Sequence, residues 1–240
     1  MKKHIITFLI ICCNFLSSSI FVPGSASSQI YERFDDQKLF LDQSSLFQSR
    51  IVYHTNNLSA LPQWQNILQS WHKLFLNDDL RAHHWRQFVD SLEQDSPTEQ
   101  ISKVHAWFNG FPYRDDQWTY GEKDYWSSPT EFLDHGGDCE DFAIIKYVTL
   151  RELGFSDDQM KILIVHDAHN NMDHAFLVVY HDDEKFILDN RSAKISKTYY
   201  RNRYQPYYAF NERTLWTYDQ PLMARKIKVL QQDITIQNND

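Results

Sequence analysis

Apolar residues recur at helical spacing through the first half of the chain and at strand spacing through the second. Trp64, Ile67, Leu68, Trp71, Leu74 and Phe75 fall on one face of a helix. Ile101, Val104 and Phe108 repeat that spacing after Ser96-Pro97-Thr98-Glu99, a capping box with proline at the first helical position. A second box, Ser128-Pro129-Thr130-Glu131, opens a short helix that Gly136-Gly137 would stop. Asp138 can cap the next helix, with Cys139 at its first position and Ala143, Ile144, Tyr147, Val148 and Leu153 as its apolar stripe. Such stripes predict core packing, and packing is also the default for Trp118, Tyr125 and Trp126.

Beyond Gly154 the texture changes. Residues 161–166, 175–180 and 185–188 are short runs rich in β-branched and aromatic residues, separated by Asn170-Asn171 and Asp182-Asp183. Helices first and strands afterwards predict an α+β fold, with an N-terminal helical part packed against a C-terminal antiparallel β-sheet. No internal repeat, low-complexity tract or Gly/Ser-rich linker divides the chain, so residues 27–240 are expected to form one domain. The polar end, Gln231 to Asp240, is expected to be loose.

The first residues change the chemical setting. Lys2 and Lys3 precede a largely apolar run from Ile5 to Phe21, and Gly24-Ser25-Ala26 resembles a small-residue cleavage site. Residues 1–26 therefore read as a secretory signal, which predicts export to the periplasm with no membrane insertion after cleavage. Asn14 and Ser17-Ser18-Ser19 leave the apolar run too broken to span a bilayer. Removing Lys2 and Lys3 takes 24 basic residues to 22 against 32 acidic ones, so the formal charge moves from −8 to −10. An acidic surface of this kind argues against nucleic acid as a partner and suits solubility or a divalent cation.

Cleavage also removes Cys12 and Cys13 and leaves Cys139 as the single thiol. A lone cysteine in an exported protein cannot form an internal disulfide, which makes a nucleophile a leading explanation. Aligned peptide dipoles at a helix start favour thiolate, whereas a buried inert cysteine is the bland alternative.

A base and its orienting acid are sought on the strand half. If the hairpin turns about Asp182-Asp183, opposed positions sum to 365. His174 then faces position 191, and Asp189 becomes its diagonal neighbour on the same face. This register permits a Cys139-His174-Asp189 triad; His135 is the nearest competitor for the base but lacks an obvious carboxylate partner.

Asp138, Glu140 and Asp141 surround the nucleophile and should oppose a second anion there. Helix capping accounts for them in one way. A bound Ca²⁺ accounts for them in another, with Asp115 and Asp116 from the preceding loop as further donors.

The run from Tyr125-Trp126-Ser127-Ser128-Pro129-Thr130-Glu131 through Gly137-Asp138-Cys139-Glu140-Asp141-Phe142-Ala143-Ile144, with Asp173-His174-Ala175 and Leu188-Asp189-Asn190, resembles the bacterial transglutaminase-like cysteine proteinases of the LapG type. The resemblance spans roughly Ile101 to Trp216. It implies a papain-like or transglutaminase-like α+β fold, a Cys139-His174-Asp189 triad and a periplasmic endopeptidase. It further implies a calcium site using Asp138 and Glu140, with Asp116 as an upstream ligand; Asp141 is a candidate ligand from the acidic collar alone. The implied substrate is the N-terminal region of a large outer-membrane adhesin, cut at a double-alanine site to release cells from biofilm. The implied inhibitor is the periplasmic domain of an inner-membrane cyclic di-GMP receptor. Two other outcomes stay open at this level: transglutamination or peptidoglycan amide hydrolysis by the same triad, and a non-catalytic calcium-binding adaptor.

Overall fold

Two capping boxes and one glycine turn fix the helical frame. In a computed structural model that describes residues 51–71, 73, 80–197 and 203–218, Ser96 and Glu99 cap each other reciprocally, as do Ser128 and Glu131. The helices are α1 (Pro62–Trp71), α2 (Leu80–Leu92), α3 (Pro97–Phe108), α4 (Asp116–Thr119), α5 (Pro129–His135) and α6 (Cys139–Glu152). Leu74, Phe75, the expected signal segment and the polar C-terminal end lie outside the described residues. No helix among the described residues is long and apolar enough to cross a membrane.

The sheet has six strands, β1 (Ile51–Thr55), β2 (Met160–Asp167), β3 (Met172–His181), β4 (Glu184–Leu188), β5 (Tyr204–Phe210) and β6 (Leu215–Tyr218). Their order is β1-β6-β5-β2-β3-β4, antiparallel throughout. Asp182 and Asp183 both take positive φ, 48° and 59°, which matches the right-handed twist of the strands they join. That turn sets Leu177 opposite Leu188 and His181 opposite Glu184, so opposed numbers do sum to 365.

Three strands, β1, β5 and β6, escape the sequence pattern. β1 belongs to the half expected to be helical, yet it forms one edge of the sheet beside β6; its β-branched and aromatic run finds its partner only across the length of the chain. β5 carries Pro206 next to a register shift against β2, where a missing N–H is tolerated but the strand signal is weakened.

Helix α6 lies against β2 and β3 on one side and α3 and α5 on the other. Its expected apolar stripe is buried, but its polar side is buried too, including Lys146 and Thr149. A central helix has no solvent face, so a stripe understates its burial. Hydrogen bonds serve the polar atoms there: Trp85 Nε1 donates to Thr149 Oγ1 at 2.9 Å, and Lys146 Nζ to Asn109 Oδ1 at 2.6 Å. Trp64, Ile67, Ile101, Val104 and Phe108 are core, as the helical spacing predicts. Strand β3 is buried on both faces, with Leu177 and Val179 in the helical core and Phe176 and Val178 in a second apolar cluster.

Gly136 is required where α5 ends. Its φ of 75° with ψ of −154° is a backbone region that only glycine enters readily. A Cβ there would lie 2.0 Å from the Pro112 carbonyl oxygen. Gly136→Ala is therefore expected to cost about 3 kcal/mol from strain and overlap combined. Urea denaturation measures this, and an unchanged midpoint would show that the turn is not held as described.

Candidate active site

The segment after α3 runs beside the glycine turn: Tyr113 bridges Gly137, and the Arg114 N–H donates to the Gly137 carbonyl at 2.9 Å. This fixes the direction in which α6 starts. Asp138 is the residue before the helix and Cys139 its first residue. Gly137 is pressed against the Asp141 side chain, 2.3 Å from where its Cβ would sit to Oδ2. Asp141 in turn accepts from the Asp138 N–H at 3.1 Å, the Ser127 N–H at 2.7 Å and the Ser127 hydroxyl at 3.0 Å. A buried carboxylate with three donors holds the turn before Cys139 in place.

Cys139 is partly exposed and is the free cysteine of the described residues. Its thiol donates to Glu140 Oε2 at 3.1 Å. Burial pushes the thiol well above its usual range, and the neighbouring Glu140 and Asp138 push it further. The Ala175 backbone N–H faces the sulfur and works in the opposite direction. Burial, with the acidic collar second, thus outweighs the helix start and favours the thiol form in the absence of a cation.

His174, next to Ala175 on β3, is 1 % exposed. Its Nε2 lies 2.9 Å from Asp189 Oδ1, while its Nδ1 is buried with no hydrogen-bond partner. Asp189 follows the last residue of β4, so the ladder itself does not reach it; the diagonal relation set by the 365 register nevertheless carries it to the imidazole. Burial opposes ionisation of Asp189, but the bonds from His174, the Arg191 N–H at 2.9 Å and the Tyr204 hydroxyl at 3.1 Å outweigh it and hold the carboxyl below its ordinary value. His135 is exposed at the end of α5 beside Arg114 and Trp118.

The carboxylates expected to hold a cation also converge. Oxygens of Asp116, Asp138 and Asp141, and separately of Asp116, Asp124 and Glu140, lie within 4.8 Å of one another. Asp116 Oδ1 and Asp138 Oδ1 are buried without hydrogen-bond partners. Burial first, and then Asp138 and Asp124, push Asp116 up to about 6 against the relief of the Tyr125 N–H. Burial and mutual repulsion likewise raise Glu140 and Asp141, and burial raises Asp138. Orphaned carboxylate oxygens in a mutually repelling cluster fit a hard cation. Asp115 stands apart, capping α4 through Gln117.

Sequence spacing alone does not find Asp124, Arg191 or Tyr204. Asp124 is one acidic residue among many in its stretch, and Tyr204 joins the site only through strand pairing. Of the three aromatic residues assigned to packing, Trp126 is buried and stacked on Phe210, and Tyr125 is half-buried with its hydroxyl on Glu131. Trp118 departs from that expectation and is 90 % exposed on α4, a single short turn.

Residues 81–217 match the bacterial transglutaminase-like cysteine proteinase family. No curated protein matches the chain. Among solved structures, LapG of Legionella pneumophila is 34 % identical over 69 % of this chain and 96 % of its own, with a TM-score of 0.53. Its calcium-bound form is 34 % identical over 71 % and 98 %, with a TM-score of 0.52. Its EGTA-treated form is 36 % identical over 64 % and 86 %, with a TM-score of 0.54. With this match covering the helices and the sheet that carry Cys139, His174 and Asp189, the chain belongs to the bacterial transglutaminase-like cysteine proteinases and is a cysteine peptidase of the LapG type.

Proposed function

We propose that the chain is a calcium-dependent periplasmic endopeptidase that uses a Cys139-His174-Asp189 triad on the N-terminal region of a large outer-membrane adhesin. The observation that carries this is the ring of His174: Asp189 holds Nε2, and the free Nδ1 belongs to a residue whose neighbour, Ala175, faces the Cys139 sulfur. An imidazole oriented by a carboxylate, with its other nitrogen open, supplies the base that a thiol nucleophile requires.

In the reaction, His174 Nδ1 takes the thiol proton as sulfur attacks the scissile carbonyl. The Cys139 backbone N–H, at the helix start, donates to the oxyanion of the tetrahedral intermediate. Asp189 keeps the imidazole in the correct tautomer and favours the imidazolium. His174 then protonates the departing amine, the thioester forms, and a water deprotonated by His174 releases the acid and restores the thiol. Asp116, Asp138 and Glu140 would hold Ca²⁺, with Asp124 close enough to join them, while Asp141 keeps the turn. The ion would supply positive charge beside a sulfur whose ionisation burial and the bare carboxylates oppose. The calcium-bound and EGTA-treated forms of the Legionella relative support this part.

The double-alanine site, biofilm release and restraint by the periplasmic domain of a cyclic di-GMP receptor rest on the sequence resemblance. Export through residues 1–26 rests on the leader pattern. Incubating the protein and calcium with an adhesin fragment containing paired alanines should give two fragments with a new N-terminus at that pair. Amine incorporation or muropeptide release, without cleavage, would instead assign transglutamination or amide hydrolysis. Calcium binding with none of these products would leave an adaptor.

A further inference from the structure

Asp167 ends β2 and is fully buried, yet no step of the reaction uses it. Its carboxylate gathers two guanidinium groups. Arg191 Nη1 donates to Oδ2 at 2.9 Å, and Arg203 donates through Nη2 to Oδ2 at 2.9 Å and through Nε at 3.2 Å. Asn170 Nδ2 adds a bond at 2.8 Å and the His169 N–H one at 3.1 Å. A buried acid with this many charge-assisted donors is a rigid anchor.

Both arginines lead to Asp189. Arg191 sits two residues beyond it and donates its backbone N–H to Asp189 Oδ1. Arg203 precedes Tyr204, lies 4.9 Å from the Tyr204 ring centre, and returns its carbonyl to the Ala168 N–H at 2.7 Å. Tyr204, paired opposite Asp167 in the sheet, donates its hydroxyl to Asp189 Oδ2 and stacks its ring on His174, with centroids 5.9 Å apart and planes 30° apart. Asp189 therefore has one oxygen shared by the imidazole and the Arg191 N–H and the other held by Tyr204. A carboxylate gripped on both oxygens cannot rotate away from the imidazole it orients.

We propose that Asp167 and Tyr204 are positioning residues of the catalytic pair: Asp167 fixes Arg191 and Arg203, and through them the loop of Asp189 and the Tyr204 hydroxyl that locks its second oxygen. Asp167 also keeps the Arg191 guanidinium engaged. Released, that cation would be free to turn onto the Asp189 carboxylate and compete with His174 for it. The inference rests on the triad proposed above and adds residues that touch neither sulfur nor substrate.

Two variants test it on the paired-alanine adhesin fragment with calcium. Tyr204→Phe removes one hydroxyl and keeps the stacked ring; Asp167→Asn removes the charge that holds the arginines. Each should lower kcat roughly tenfold or more with KM within about twofold, as outer-partner losses do. The double variant should lose less than the product of the two, because both act on Asp189. In proton NMR, the downfield His174 ring N–H bonded to Asp189 should shift or broaden in both variants. Folded Tyr204→Phe protein with wild-type kcat and an unmoved ring proton overturns the inference. So does a loss of kcat that only follows the folded fraction of each variant. Cys139→Ala separates the two levels: full activity there defeats the triad itself, whereas an inactive Cys139→Ala beside a fully active Tyr204→Phe defeats only the positioning role.

Discussion

Cys139→Ala should abolish cleavage, with kcat falling by roughly 10⁴-fold or more, as removal of a nucleophile from a working triad does. The reason is local and chemical. Cys139 is the free thiol of the described residues, it heads α6, and it faces the N–H of Ala175, the neighbour of His174, whose imidazole Asp189 orients. Among the described residues no other thiol is available to form the thioester. Folding should hardly change, since the lost atom is partly exposed and its bond is to a collar carboxylate that remains protonated or cation-bound; a stability change within about 1 kcal/mol is expected. Fragment analysis by mass spectrometry together with thermal melting checks both halves. Cleavage at the wild-type rate by a Cys139→Ala protein would end the covalent mechanism.

Chelation of calcium should be nearly as severe, and it should change the sign of a pH effect. Without a cation, burial and mutual repulsion raise the Asp116, Glu140 and Asp141 carboxyls, and burial, reinforced by Glu140 and Asp138, favours the thiol over the thiolate. Activity should therefore fall to a few per cent or less and return with added calcium. An ion bound only by the folded state also adds about 2.7 kcal/mol of stability at a hundred times its dissociation constant.

Asp116 gives the sign. Its folded value is about 6 against an ordinary 3.8, so the folded state binds the extra proton. The associated stability is fully present below the ordinary value and is lost as pH rises through about 6. Chelated protein should melt higher at pH 5 than at pH 7.5. Calcium, which favours ionised carboxylates, should flatten or invert that order, and chelated Asp116→Asn should show less of it. Unchanged activity and melting after exhaustive chelation would remove the ion from the account.

Much of this site could be located from residues close together in the chain. The capping boxes at Ser96 and Ser128 form as written because a cap needs only four consecutive residues. The β3–β4 register follows from a two-residue turn, and parity then puts Asp189 on the same side as His174. The expectation that the helix start would favour a thiolate fared differently. Burial and two neighbouring carboxylates outweigh it, and the degree of burial of an α6 enclosed on all sides exceeds what its apolar stripe implies. Likewise β1 and β5 were not legible, since one pairs across the whole chain and the other carries Pro206.

The sequence by itself determined where Cys139, His174 and Asp189 sit, because a helix cap, a glycine turn and a tight hairpin are specified by neighbouring residues. Only the tertiary structure decided the electrostatic state of the sulfur and the grip on Asp189. Those depend on which distant groups share a low-dielectric interior: Asp116 facing Asp138 and Glu140 across a loop, and Asp167 brought beside Tyr204 by strand pairing. Charge interactions and desolvation act through space, so no periodicity along the chain encodes them.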